Sequence, residues 1–301
     1  MTMELFWEAF PLVTLGLGTG IYGVLVGAGG GFILAPVLIL FFDMDPRIAA
    51  GTSLALVAVN SISGFAAYRR TGLIDIRSGL LFALAAIPGS IIAPLALHMV
   101  AGSAFKVMFG LLLLALAAQL AFKPDYAEKD GFDAKIKDSG DLNVDNVNAI
   151  PSWAYFSIKS RRLKSSSGKI YQYKFNEILA IVFNFFLGFL SSFFGTGGGF
   201  LRTPVLVALF KFPIHVAVAT SIFSLSIYAS FGALSHAYMG NIQFYPTLLW
   251  SGAGLVLGGQ IGARLMETLR GLIIMRLLLV VVLILGIQLV IQGVGLWPEV
   301  L

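Results

Sequence analysis

The sequence predicts an all-α polytopic membrane protein made of two inverted repeats, each with about four helical segments and each opening with a glycine-broken helical hairpin. Of the 301 residues, 58% are hydrophobic and only 12% are charged. The mean hydropathy is +0.90, and a glycine-rich motif occurs twice. A soluble domain uses about a quarter of its residues as charges. The composition therefore excludes an extramembrane enzyme, a nucleic-acid-binding protein and a disordered protein.

The charged residues are concentrated in one polar segment. Residues 123–176 contain 17 of the 35 Asp, Glu, Lys and Arg residues. We therefore predict a first membrane repeat at 1–122, a linker at 123–176 and a second membrane repeat at 177–301. Within the linker, residues 169–175 alternate polar and apolar side chains as a strand does, so we expect a solvated linker with a short hairpin. Its basic half could instead contact anionic lipid, or the linker could be regulatory.

Six apolar runs are each long enough to cross a bilayer, at 48–68, 78–98, 104–122, 215–238, 246–266 and 271–293. Two further regions, 6–42 and 177–211, are too long for one crossing, and each is interrupted by three consecutive glycines. About a dozen apolar residues follow each triplet, or roughly 18 Å of helix. This is short of the hydrocarbon thickness of about 30 Å. Each region therefore forms either a returning hairpin or one broken crossing.

The chain contains an internal duplication. Residues 27–38 (GAGGGFILAPVL) and 195–206 (GTGGGFLRTPVL) are identical at 8 of 12 positions, at an offset of 168 residues. The same offset aligns the pair Thr52-Ser53 with Thr220-Ser221. Two such repeats around a polar linker are typical of secondary transporters.

Basic residues indicate how the repeats are oriented. The linker carries ten Lys and Arg residues, which favours a cytoplasmic location. If the second broken region returns as a hairpin, Lys211, Arg264, Arg270 and Arg276 lie on that same side. If it crosses once, the three arginines lie outside. The hairpin obeys the positive-inside rule, and it makes the repeats inverted with both termini outside. The first residues lack a secretory cleavage signal, so the first segment is expected to remain.

Glycine breaks inside a membrane leave the N-terminus of a short helix without backbone partners. The unpaired N–H groups and the helix dipole there both favour an anion. Two repeats would supply two such starts to one shared site. The alternative is that the glycines serve close helix packing. The candidate substrate-binding residues here are Gly29, Gly30, Gly31, Gly197, Gly198 and Gly199.

Arg202 lies three residues after the second triplet, at a position where the first repeat has Leu34. A cation at membrane depth requires a partner or an aqueous cavity, and no acidic residue lies near Arg202 in the apolar segments, since Glu177 and Glu267 stand at segment ends. A bound anion would satisfy the guanidinium group. Snorkelling, or bonding to backbone carbonyls, is the alternative.

Hydroxyl groups recur in both repeats near the start of a span. Thr52, Ser53, Thr220 and Ser221 could donate hydrogen bonds to an oxyanion, or could bond to their own backbone. His236 lies late in an apolar span and either relays protons or serves packing. The sequence contains no cysteine, no metal-ligand spacing and no nucleotide-binding loop, so we expect no cofactor and no catalytic residue.

The doubled Gly-x-Gly-Gly-Gly-Phe-x-x-x-Pro-x-Leu motif, with a Thr-Ser pair after each copy, resembles the TauE/SafE sulfite-exporter family of membrane permeases. The resemblance covers both halves outside the linker. It implies transport of a sulfur-containing anion such as sulfite, sulfoacetate or another organosulfonate. It also implies that the six triplet glycines frame the central site.

We therefore expect a secondary transporter of the cytoplasmic membrane that moves a small anion by alternating access and is not an enzyme. Its expected partners are the anionic substrate, the lipid bilayer and a coupling ion, either a proton or sodium, and not nucleic acid. An anion channel would use the same helix ends, with weaker binding. A membrane scaffold acting through the linker is the third interpretation.

Overall fold

The computed structural model describes residues 2–122, 157–166, 168–265 and 271–295, and the protein is mostly helical. Arg270 and the first part of the linker, 123–156, lie outside the described residues, as does the side chain of Arg276. The first half contains α1 (Thr2–Val26), α2 (Gly31–Phe41), α3 (Pro46–Tyr68), α4 (Ile76–His98) and α5 (Gly102–Phe122). After strands β1 (Ile158–Lys164) and β2 (Ile170–Asn176) come α6 (Glu177–Phe194), α7 (Gly199–Ala208), α8 (Ile214–Tyr238), a π-helical turn (Phe244–Leu248), α9 (Leu249–Leu265) and α10 (Gly271–Gly293).

Three helices start after a residue whose side chain caps the helix N-terminus. Asp45 precedes α3, and its side chain accepts a hydrogen bond from the Arg47 N–H. Pro46 is the first residue of the helix, a position that proline favours. Asp75 and Asn176 cap α4 and α6 in the same way, through the N–H groups of Ser78 and Leu179. These caps place the polar turns at the helix ends, where a membrane protein meets water.

Six helices in the described part of the chain are long and apolar enough to cross a membrane. Four of them lie in predicted continuous runs, and the other two are the long helices that precede the glycine breaks. The six segments are Ala9–Val26, Pro46–Tyr68, Ile76–His98, Gly102–Ala121, Glu177–Phe194 and Ile214–Tyr238. The predicted run 246–266 corresponds, up to Leu265, to the π-helical turn and α9, and the predicted run 271–293 corresponds to α10. The predicted fold class is confirmed, since apart from one two-stranded sheet the described residues are mostly helical and six helices could cross a membrane.

Both glycine breaks reverse the chain. The backbone of Gly30 returns to the side of Thr19, and the Phe32 ring lies 6.0 Å from the Tyr22 ring. In the second half, Phe210 after α7 lies 6.2 Å from Phe183 in the first part of α6. Each short helix therefore packs back along the long helix before it, as a hairpin does.

Helices of the two halves pair with each other across the molecule. α1 packs along α9 and α4 along α6, while α3 faces α8 and α5 faces α10. In the duplication α1 corresponds to α6 and α4 to α9, so the pair α1–α9 of one half corresponds to the pair α6–α4 of the other. In the remaining two pairs, each helix packs against its own counterpart. Gly16 contacts Ser251 and Gly20 contacts Leu255, so α1 and α9 run in the same direction.

The strands form a two-stranded antiparallel hairpin in which Arg161 pairs with Tyr173. The expected alternating strand is present, but one face is buried rather than solvated. Tyr173 and Phe175 pack against Phe212, and the Tyr173 hydroxyl donates to Asp75 Oδ2 at 2.7 Å. Burial, and to a lesser degree the neighbouring Asp75 carboxylate, raise the pKa of Tyr173.

Arg161 joins the hairpin to two helix starts. Its guanidinium lies 3.5 Å from Asp75 before α4 and 3.1 Å from Glu177 in α6. We call this side of the molecule the hairpin end. The opposite end is where α3 and α5 begin, with Gly102 beside Pro46.

Candidate functional site

The two glycine breaks meet at the centre of the protein. The α-carbon of Gly31 packs against the Gly195 carbonyl, and the equivalent Gly199 packs against the Gly27 carbonyl. The rings of Phe32 and Phe200 are fully buried and stack with their centroids 5.5 Å apart. The starts of α2 and α7 therefore lie side by side, as the prediction of one shared site requires.

Glycine is required at these positions for two reasons. Gly29, Gly30, Gly197 and Gly198 have φ angles of +73°, +90°, +78° and +63°. This left-handed backbone is strained for residues with a side chain. At Gly31 a methyl carbon would lie 2.6 Å from the Gly195 oxygen, which leaves no room for a side chain. Neither α2 nor α7 has a side-chain cap at its N-terminus.

The carbonyls of the breaks are held by polar side chains from equivalent positions. Asn60 Nδ2 donates to the Gly29 oxygen at 3.0 Å. Tyr228, 168 residues later, donates its hydroxyl to the Gly197 oxygen. The same carbonyl is thus fixed in each half, by an amide in the first and by a phenol in the second.

The predicted hydroxyl residues are all fully buried, and their partners in the structure are backbone groups. Ser53 donates to the Gly31 carbonyl at 3.2 Å, and Ser221 donates to the Gly27 carbonyl at 3.0 Å. Both serines therefore contact the breaks directly. Thr52 and Thr220 accept from the N–H groups of Gln243 and Asp75, at 2.9 and 3.0 Å. These two threonines brace the turns before α9 and α4.

Arg202 is fully buried in the first turn of α7. Its guanidinium carbon lies 4.5 Å from the centroid of the Tyr228 ring, a cation–π contact. Among the described residues, none of the three guanidinium nitrogens has a hydrogen-bond partner. An unpaired buried charge costs several kcal/mol. A bound anion is a partner that would remove most of this cost.

Other polar groups beside the breaks also lack a partner. The hydroxyls of Ser191 and Thr203 are buried without a hydrogen bond in the described part of the chain. The Ser191 side chain and the Tyr228 hydroxyl both lie beside Gly198, and the Thr203 hydroxyl lies beside Gly27. Together with Arg202 they make the second half the more polar side of the site.

Ser191, Thr203 and Tyr228 are not among the residues that the sequence predicts for the site. Thr203 follows Arg202 within the repeated motif, where the first repeat has Ala35, and this difference was a usable signal. Ser191 precedes the break by one helical turn, and only the hairpin fold brings it to the start of α7. Over the described ranges, no three His, Asp or Glu side chains are grouped as metal ligands.

The family described as sulfite exporter TauE/SafE matches residues 12–289 of this chain. The probable membrane transporter protein YunE of Bacillus subtilis is 31% identical over 291 residues, which cover 94% of this chain and 97% of YunE. A probable membrane transporter protein of Methanocaldococcus jannaschii is 25% identical, covering 84% of this chain and 85% of the relative. No solved structure matches the chain.

Proposed function

Because the chain belongs to the sulfite exporter TauE/SafE family and is a membrane transporter, we propose that it moves a small sulfur-containing anion, sulfite or an organosulfonate such as sulfoacetate. It does so as a secondary transporter of the cytoplasmic membrane, by alternating access between inverted repeats. The anion lies at the contact between the two glycine breaks.

The observation that carries this proposal is the state of Arg202. Among the residues that the structure describes, the fully buried guanidinium has neither a hydrogen-bond partner nor a counter-charge, and it lies beside two helix starts without side-chain caps. A sulfonate or sulfite group has three acceptor oxygens on one centre. Those oxygens suit a forked guanidinium together with the N–H groups at a helix start.

The remaining predicted residues surround this centre in two layers. The glycines of both breaks and Arg202 would contact the anion, with the unpaired Ser191 hydroxyl as a further donor. Ser53 and Ser221 donate hydrogen bonds to carbonyls of the breaks. If the breaks separate, these two hydroxyls become free to donate to the anion. Thr52 and Thr220 set the position of the neighbouring turns.

Burial of the site favours a carrier over a channel. Arg202, Phe32 and Phe200 have no solvent exposure, whereas a channel would need a continuous open path past them. Alternating access requires such a closed centre, which opens to one side at a time. The basic residues at the hairpin end, including Arg69, Arg70 and Arg264, support a cytoplasmic location for that end.

A thermal-shift screen tests the substrate class. Detergent-purified protein is heated with sulfite, sulfate, thiosulfate, sulfoacetate or taurine, and with acetate as the carboxylate control. We expect one or more sulfur anions to raise the melting temperature, because a ligand at 100 times its Kd stabilises the native state by about 2.7 kcal/mol. An acetate shift as large as that of every sulfur anion, or no shift with any of them, would contradict the proposed substrate class.

A further inference from the structure

His236 is fully buried in the last turn of α8, and both of its ring nitrogens have partners. Nε2 lies 3.0 Å from the Ser192 carbonyl oxygen. Because a carbonyl only accepts, Nε2 carries the hydrogen, and Nδ1 of the neutral ring is an acceptor. The amide Nδ2 of Asn241 lies 3.4 Å from Nδ1 and donates to it.

Asn241 extends this connection to the surface. Its Nδ2 also lies 3.1 Å from Nε2 of His98, an exposed residue at the end of α4. The backbone N–H of Asn241 donates to the His236 carbonyl at 2.9 Å, which keeps the two residues together. A chain of three side chains thus runs from the opposite end of the molecule to Ser192 in the last turn of α6.

The first half performs the same structural task without a histidine. Tyr68 is equivalent to His236 at the offset of 168 residues, and its hydroxyl donates at 3.1 Å to the carbonyl of Val24, the equivalent of Ser192. The position of Asn241 is occupied by Leu73 in the first half. A phenol is therefore sufficient to hold a helix end of this kind. The imidazole adds a titratable nitrogen that is connected to the surface.

We propose that His236 is the proton-binding site through which protons are coupled to the anion, an inference that rests on the proposed transport function. In the described part of the chain, the ionisable group that faces His236 is His98 of α4. α6 contributes the neutral Ser192 carbonyl, and the segment after α8 contributes the neutral Asn241 amide. His98 and Asn241 form the route by which the proton reaches the buried ring.

Protonation of His236 changes the contacts at both of its nitrogens. Nδ1 becomes a donor, so Asn241 has to turn its Oδ1 toward the ring and give up its bond to His98. The charged ring also binds the Ser192 carbonyl more strongly, because a cation is favourable at a helix C-terminus. Ser192 adjoins Ser191 and lies just before the break, so proton and anion act on the same end of α6. Proton and anion attract each other, which predicts that they move together.

Transport in proteoliposomes tests this coupling. The probe is ³⁵S-sulfoacetate, which keeps its charge between pH 6 and pH 8, with the membrane potential clamped at zero. We expect a gradient of about two pH units to drive up to about 100-fold accumulation by the natural sequence if one proton accompanies each anion. His236→Gln keeps a donor for Ser192 and cannot be protonated, so the gradient should drive no accumulation. Asn241→Leu should slow accumulation severely, whereas the matched control His215→Gln, at the hairpin end, should leave it unchanged.

Counterflow without a pH gradient separates the two proposals. It needs no net proton movement, so His236→Gln should retain it, and this retention also shows that the variant is folded. If the natural sequence shows normal counterflow but the pH gradient drives no accumulation, the proton-binding site is overturned and the proposed transport function stands. Undiminished gradient-driven accumulation by His236→Gln does the same. Absence of counterflow by the natural sequence overturns the proposed function, and with it this inference.

Discussion

Arg202 is an uncommon kind of residue, because it is buried, charged and without a hydrogen bond among the described residues. Its counterpart Leu34 is also fully buried, in a small apolar cluster with Leu56 and Leu255. The fold therefore accommodates an apolar side chain at this place in one half. In the second half the cation has one favourable contact among the described residues, the Tyr228 ring, and its guanidinium nitrogens are left without hydrogen bonds, as they would be in a site that binds an anion.

Replacing Arg202 by Leu should separate stability from binding. Removing an unpaired buried charge should stabilise the anion-free protein, on the order of 1–4 kcal/mol, while the melting temperature stops responding to the anion. Arg161→Leu is the control, because it breaks ion pairs with Asp75 and Glu177 at the hairpin end. This control should lower the melting temperature and keep the anion-induced shift. An anion-induced shift of full size in Arg202→Leu would rule out Arg202 as the ligand.

A residue of the site can be predicted from the sequence when its partners lie close to it along the chain, and not when they lie far away. Arg202 and the triplet glycines can be predicted as site residues from the sequence, because they lie within eight consecutive residues of the repeated motif. The bonds from Asn60 and Tyr228 to the break carbonyls span 31 residues each, and neither residue is among the predicted site residues. Their specific partners follow from the hairpin fold, which a spacing pattern does not contain.

At the level of elements, each glycine triplet predicts a break, and the structure shows how tightly that break is packed. Gly31→Ala should destabilise the protein by about 1–3 kcal/mol, because its methyl group would collide with Val57 and the Gly195 carbonyl. Gly18→Ala, within α1, is the matched control, since a methyl group there meets nothing within 4 Å. It should change stability by no more than about 1 kcal/mol, in the favourable direction. Thermal denaturation in detergent measures both, and equal melting temperatures would contradict the packing argument.

For the β-hairpin, the sequence predicts a strand but not the part of the protein against which the strand packs. Alternation along residues 169–175 indicates a strand, and the strand is present. Its docking could not be foreseen, because Tyr173 bonds to Asp75, 98 residues earlier in the chain. A pattern of alternating side chains says which face is apolar. It does not say which distant helix end covers that face.

For the whole molecule, the packing pairs and the hairpin at one end lead to a prediction of sidedness. The chain has no cysteine, so single cysteines can be placed without background. Ser160→Cys and Arg264→Cys lie at the hairpin end, and Met99→Cys lies at the opposite end, where Met99 is 88% exposed. In intact cells an impermeant maleimide should label Met99→Cys alone, and permeabilised cells should label all three. Labelling of Arg264→Cys together with Met99→Cys from outside would contradict inverted repeats with a cytoplasmic hairpin end.

The near-equivalence of the two halves has an energetic consequence. A carrier with identical halves would have two end states of equal energy, since each state becomes the other when the halves exchange conformations. Here Leu34, Asn60 and Tyr68 stand opposite Arg202, Tyr228 and His236. In this structure Arg202 and Leu34 are both fully buried, and only Arg202 carries a charge. On the proposed alternating-access mechanism, the cost of burying that charge differs between the two end states, so we expect the empty protein to favour one orientation and the bound anion to shift that population.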